Sequence, residues 1–202
     1  MKLSKFISIF FHPINFPIIG AFIYFLFRPE YIFKPQEHTI LLVILIGTYI
    51  FPIIFLLILK QYKMIRSYNM VSIEERKFPT LLFTAISIIV GNWLIKASIV
   101  DLLALLFYGY TLTFFISYVY LFFKQRISLH TAAIGGLIGF LICFSYHYQI
   151  NLIVFIAFFF ILSGIISSSR LKLNAHTLKE VYLGFITSLI SQFIVYAIYY
   201  II

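Results

Sequence analysis

Apolar residues along this chain come in long unbroken runs, not in the alternation of a strand or the one-sided stripe of a surface helix. Seven runs cover about 6–27, 39–59, 79–95, 99–123, 129–147, 150–168 and 181–202, with short polar stretches between them. Runs of about 20 residues match a hydrocarbon core of about 30 Å crossed by a helix rising 1.5 Å per residue. Open sheets cannot sit in hydrocarbon, and the runs lack barrel alternation. The predicted fold class is therefore all-α, a multi-pass transmembrane helical bundle of about seven spans forming one integral membrane domain over residues 1–202. A six-span alternative makes the first run re-entrant or interfacial. That run holds His12, Pro13 and Pro17 and has no small-residue cleavage site, which predicts a retained helix and not a cleaved signal peptide.

Composition agrees with the pattern. Hydrophobic residues make up 63% of the chain and charged residues only 10%. The 25 Phe and 15 Tyr read as interface belts and lipid-facing bulk. The lone Cys143 sits in an apolar run and excludes an internal disulfide or a cysteine metal cluster. The net charge of +9 does not signal a nucleic-acid partner, because the bases sit in short loops beside lipid headgroups.

Counting sides changes the picture more. With seven spans, the N-terminus and the second, fourth and sixth loops share one face. That face holds Lys2, Lys5, Lys60, Lys63, Arg66, Arg76, Lys77, Lys124, Arg126, Arg170, Lys172 and Lys179, against Arg28, Lys34 and Lys96 on the other. Three polar loops are thus expected to converge on one site, and the positive-inside rule makes that face cytoplasmic.

The most suggestive of the three loops is 169–180. It reads Ser169-Arg170, five residues, His176, three residues, Glu180. A helix beginning near Asn174 would put His176 and Glu180 on one face, where the carboxylate holds one imidazole nitrogen and makes the other more basic. Arg170, upstream in the loop, would meet an oxyanion with a planar fork of donors. The fourth loop leads through Lys124, Arg126 and Ser128 to His130; Ser128 would cap the following helix, and His130 would sit in its first turn. Gly135, Gly136 and Gly139, deeper in that run, read as close helix packing and not as a phosphate cradle. The third cluster is Glu74-Glu75-Arg76-Lys77-Phe78-Pro79, with Pro79 suited to the first helical turn. His12, His38 and His147 have no motif around them and read as structural. Asp101, near the start of a span, is expected to be satisfied by Lys96 or by a helix N-terminus.

These clusters resemble the three signatures of the type-2 phosphatidic acid phosphatase superfamily. The last is nearly whole, with Glu180 in place of the family's Asp. The family's Pro-Ser-Gly-His is reduced to Ile127-Ser128-Leu129-His130, and the Lys-to-Arg-Pro signature is present only loosely around Arg76, with Asn69 standing where the family has Lys. The resemblance covers roughly residues 70–190 and implies a core of that type. It implies His176 as nucleophile forming a phosphohistidine, Glu180 as its orienter and His130 as proton donor and later base. Arg170, Ser128, Ser169, Arg76 and Lys77 would hold phosphoryl oxygens. No metal or other cofactor is implied, and the sequence has no clustered carboxylates of a Mg²⁺ site.

The expected function is hydrolysis of a lipid phosphomonoester or diphosphate, of the phosphatidic acid, phosphatidylglycerol phosphate or undecaprenyl diphosphate type. The expected partners are the lipid phosphate substrate and membrane lipids, with no nucleic acid. The expected location is a bacterial cytoplasmic membrane, where the resemblance implies an extracytoplasmic site and the charge count a cytoplasmic one. The alternatives are a catalytically weakened relative that binds anionic lipid or serves as a structural subunit, and a haem carrier with His130 and His176 as axial ligands.

Overall fold

The computed structural model describes residues 2–66, 70 and 72–200. Among these, seven helical stretches are long and apolar enough to cross a membrane, and the chain is an all-α, multi-pass membrane protein. Two spans are interrupted. The first joins α1 (Lys2–Phe10) to α2 (Phe16–Phe27) through a 3₁₀ turn at Pro13–Asn15, and the second joins α3 (Lys34–Leu45) to α4 (Phe51–Gln61) through a π-turn at Ile46–Ile50. The other five are single helices: α5 (Ile73–Lys96), α6 (Asp101–Phe122), α7 (Leu129–Tyr148), α8 (Ile153–Lys172) and α9 (Leu178–Tyr200).

Helix ends run past the apolar runs, because caps and end charges extend a helix after hydrophobicity stops. α5 begins at Ile73, where the Ser72 hydroxyl accepts from the Glu75 N–H at 3.3 Å and two glutamates complement the dipole. Pro79 is therefore about two turns inside α5, not in its first turn. α8 likewise continues through Arg170 and Lys172, two cations in its last turn, so Arg170 is helical and not in the loop.

The site-bearing loops are short because the helices before them end abruptly. At the end of α8, Asn174 adopts φ 50°, its N–H bonds the Leu171 carbonyl, and the Ala175 N–H bonds the Arg170 carbonyl at 3.1 Å. This is a Schellman stop with asparagine at the left-handed position. Lys63 after α4 and Lys124 after α6 stop their helices in the same way, with φ 59° and 55°.

α7 is the axis of the bundle. Of its most apolar window 72% is buried, against 28% for each of the first two spans. Hydrocarbon gives helices little hydrophobic reason to associate, so close backbone approach and interhelical hydrogen bonds carry the packing. A Cβ on Gly135 would stand 2.5 Å from the Phe185 carbonyl oxygen of α9, and one on Gly184 would stand 2.5 Å from the Ser128 carbonyl oxygen. The glycines of α7 are thus packing residues. Polar ties join the same helices: Tyr110 donates to the Ala133 carbonyl at 2.7 Å, and Gln192 to the Leu106 carbonyl at 3.0 Å. This packing brings the start of α7, the end of α8 and the start of α9 to one end of the molecule.

Candidate active site

His176 occupies the last loop position before the cap of α9. Thr177 Oγ1 accepts from the Glu180 N–H at 3.3 Å, and Glu180 Oε2 accepts from the Thr177 N–H at 3.1 Å. That reciprocal pair is a capping box. The same Oε2 lies 2.8 Å from His176 Nδ1. The expected helix from Asn174 is therefore corrected, since α9 starts at Leu178 and His176 precedes it. The His–Glu contact survives by another route, through a cap that turns the carboxylate back toward the loop. Arg126 Nε pairs with the other oxygen, Oε1, at 2.7 Å.

A carboxylate at Nδ1 holds the imidazole proton there and leaves the Nε2 lone pair basic. His176 is 7% exposed. Burial, followed by the positive charge of Arg76 and then of Arg170, outweighs the Glu180 hydrogen bond and lowers its pKa to about 4. The ring is therefore neutral at pH 7, as a nitrogen nucleophile must be.

His176 lines a cavity of about 530 Å³ together with Arg76, His130 and Arg170. The structure thus brings four of the eight sequence-derived site residues to one wall. Arg76, on α5, is buried; its Nε donates to the Met70 carbonyl at 2.7 Å and its Nη1 to the Ile127 carbonyl at 3.1 Å. Those bonds pin the guanidinium to the loops on either side and use two of its five N–H donors. Arg170 is 4% exposed and donates from Nη1 to Ser8 Oγ, and its buried Nε has no partner among the described residues. His130 contacts the Ser8 carbonyl through Nε2 at 3.1 Å, which makes that nitrogen the proton-bearing one. Glu180 stands behind His176.

The remaining three do not line the cavity. Ser128 precedes α7 as expected but makes no side-chain cap, and its fully buried hydroxyl has no partner among the described residues. Its backbone N–H is held instead by the Glu180 carbonyl at 3.0 Å, against Gly184. The Ser169 hydroxyl is spent inside its own helix, donating to the Ile165 carbonyl at 2.9 Å. Lys77 pairs with Glu74 at 2.9 Å on the outer side of α5. Asn69 lies outside the described residues.

Sequence reasoning missed the first span. Ser8, His12 and Lys5 line the same cavity, with Lys60 and Arg66 from around the end of α4. His12 is therefore a cavity residue, 5.5 Å from His130 between ring centroids, and not a bystander. The signal was the pair of prolines that follow it in a membrane run, Pro13 and Pro17, because irregular backbone at membrane depth occurs where it lines a cavity. The other minor histidines are remote: His38 is exposed, and His147 contacts the Tyr196 hydroxyl at 3.3 Å toward the other end of the bundle. Asp101 accepts from the Tyr199 hydroxyl at 3.2 Å and not from Lys96.

Next to the polar cavity lies a smaller apolar pocket of about 60 Å³, between α2, α5, α6 and the π-turn of the second span. The two share walls at Pro13, Ile14, Phe83 and Leu129. Among the described residues no three His, Cys, Asp or Glu side chains gather as a metal-binding group. No family model matches the chain, and neither curated proteins nor solved structures give a match.

Proposed function

We propose that this protein hydrolyses the phosphate ester or anhydride of a membrane lipid through a phosphohistidine at His176. The observation that carries the reading is the Nδ1–Glu180 contact at 2.8 Å beside two buried arginines on the cavity wall. It leaves a neutral imidazole with a basic Nε2 facing an electropositive chamber, as attack on phosphorus requires.

The step balances as follows. The Nε2 lone pair of His176 forms a bond to phosphorus while the bond from phosphorus to the lipid oxygen breaks. The leaving oxygen takes a proton from His130, which lines the same cavity and is assigned to enter this step as the imidazolium and leave it as the neutral ring. Glu180 offsets the positive charge that phosphorylation puts on the ring. Water then attacks the phosphorus, His130 takes its proton, and inorganic phosphate leaves with His176 restored. Arg76 and Arg170 hold the equatorial oxygens, where charge collects in the transition state. An aliphatic chain is supported by the adjoining apolar pocket, which gives an amphiphile's first carbons somewhere dry to lie. Phosphatidic acid, phosphatidylglycerol phosphate and undecaprenyl diphosphate all meet this description, in a bacterial cytoplasmic membrane. The cap contact of Glu180 and the buried Ser128 hydroxyl outside the cavity support a second reading, an anionic-lipid binder without turnover.

The test is phosphate release from vesicles of each lipid by the purified protein, with EDTA present. The proposal expects release from at least one lipid and a fall to background in His176→Ala. No release from any of them, or equal release by the variant, overturns it; phosphate binding without release favours the second reading.

A further inference from the structure

The first span is built into the cavity in a way the phosphoryl-transfer scheme above does not use. α1 stops at Phe10, and the chain runs through Phe11 and His12 before the 3₁₀ turn begins at Pro13. Breaking a helix inside a membrane span exposes backbone groups, and such a break persists where protein or a cavity can satisfy them. Here the break is spent on delivering side chains. His12 caps the 3₁₀ turn, its Nδ1 accepting from the Ile14 N–H at 3.5 Å, so the proton of the neutral ring sits on Nε2. One turn earlier, Ser8 ties the segment to the site twice. Its hydroxyl accepts from Arg170, and its carbonyl oxygen lies 3.1 Å from His130 Nε2. His12 then packs edge-on against His130. A residue held this way, with its one acceptor nitrogen consumed by its own turn, has a single chemical option toward the cavity: to donate.

We propose that His12 is a further ligand of the bound anion, donating its Nε2–H to an oxygen of the phosphoryl group. The inference rests on the reading of the cavity as a phosphate site. In it the first span is part of the binding site, with Ser8 as a positioning residue for Arg170 and His130.

Two substitutions separate ligation from packing. His12→Asn keeps an acceptor where Nδ1 stands and so keeps the turn, but has no donor at the Nε2 position. His12→Gln carries an amide N–H out to about that position. In the full-length protein in lipid nanodiscs, binding of inorganic phosphate is read by calorimetry, and KM and kcat are measured on the best lipid phosphate. His12→Asn is expected to weaken phosphate binding and raise KM roughly tenfold or more, as loss of a hydrogen bond to a charged group does, with a smaller change in kcat. His12→Gln is expected to recover most of both. Wild-type phosphate affinity in His12→Asn overturns the proposal, as does equal impairment in the two variants, which marks a packing role. A check without substitution is the ¹⁵N resonance of His12 Nε2 in the wild-type protein, which phosphate is expected to shift; an unmoved resonance at saturating phosphate also overturns it. A shifted His12 in a protein that hydrolyses no lipid phosphate sinks the hydrolase and keeps this ligand. Turnover with His12 unmoved does the reverse.

Discussion

His176 lies one residue ahead of the cap of α9, and that offset decides its tautomer. Its Nδ1 meets a carboxylate that already serves Thr177 and Arg126, so the oxygen positions are set by three partners. Glu180→Gln keeps an acceptor for the cap but offers the ring an amide that also stabilises the wrong tautomer. We expect kcat to fall roughly 100-fold or more, with KM little changed, measured by phosphate release. The pH dependence follows from the lowered pKa. A group at about 4 in the fold and about 6.5 unfolded binds its proton more readily in the unfolded chain. Stability is therefore lost as pH falls from about 6.5 to about 4, and His176 remains an unprotonated nucleophile over that window. The acid limb of kcat/KM assigned to His176 should lie near pH 4, and so should the titration of its ring followed by NMR in the wild-type protein; a ring that titrates near 6.5 contradicts the burial argument. His176 and Glu180 are legible as a pair in the sequence because the spacing holds in both geometries, a continuous helix or a capping box. The route was not legible, because Asn174 in the left-handed conformation ends α8 and delays the next helix to Leu178.

At the scale of helices, the site is held by close approach. Gly135→Ala would push a methyl to 2.5 Å from the Phe185 carbonyl oxygen and force α7 from α9, which carries Glu180 in its first turn and follows directly on His176. We expect a cost of about 1–3 kcal/mol and a lower melting temperature in detergent. Gly164→Ala on α8 meets nothing within 4 Å and is expected to be neutral or slightly stabilising. Equal melting of the two variants would contradict the packing account. The spans are legible from the sequence because runs of apolar residues have few other uses. Their ends are not, because polar caps such as Ser72 and end cations such as Arg170 extend helices beyond the apolar signal. The break in the first span is marked by Pro13 and Pro17, yet nothing local says where His12 then points.

Across the whole molecule, the cavity collects residues distant in the chain. Arg170 and Ser8 are 162 positions apart, and His130 and Ser8 are 122 apart. A side count along the sequence predicts which loops share a face, and the cavity gathers residues from the N-terminus and around the second, fourth and sixth loops. It cannot pair an N-terminal serine with a late arginine, because that contact is a product of packing α1 against α8. The shared face is testable in intact cells. Single cysteines at Lys63 and Lys172 should label from the same side of the membrane and one at Lys34 from the other, with buried Cys143 as a quiet background. Labelling of positions 63 and 172 from opposite sides would break the site apart. The central claim is that His176 carries the phosphoryl group, and the most direct measurement is a rapid-quench trap. The protein is mixed with a ³²P-labelled lipid phosphate, quenched in alkali to preserve phosphohistidine, and mapped by peptide. Label at His176, absent in His176→Ala, is the predicted result. Phosphate release with no label at His176 would contradict the account.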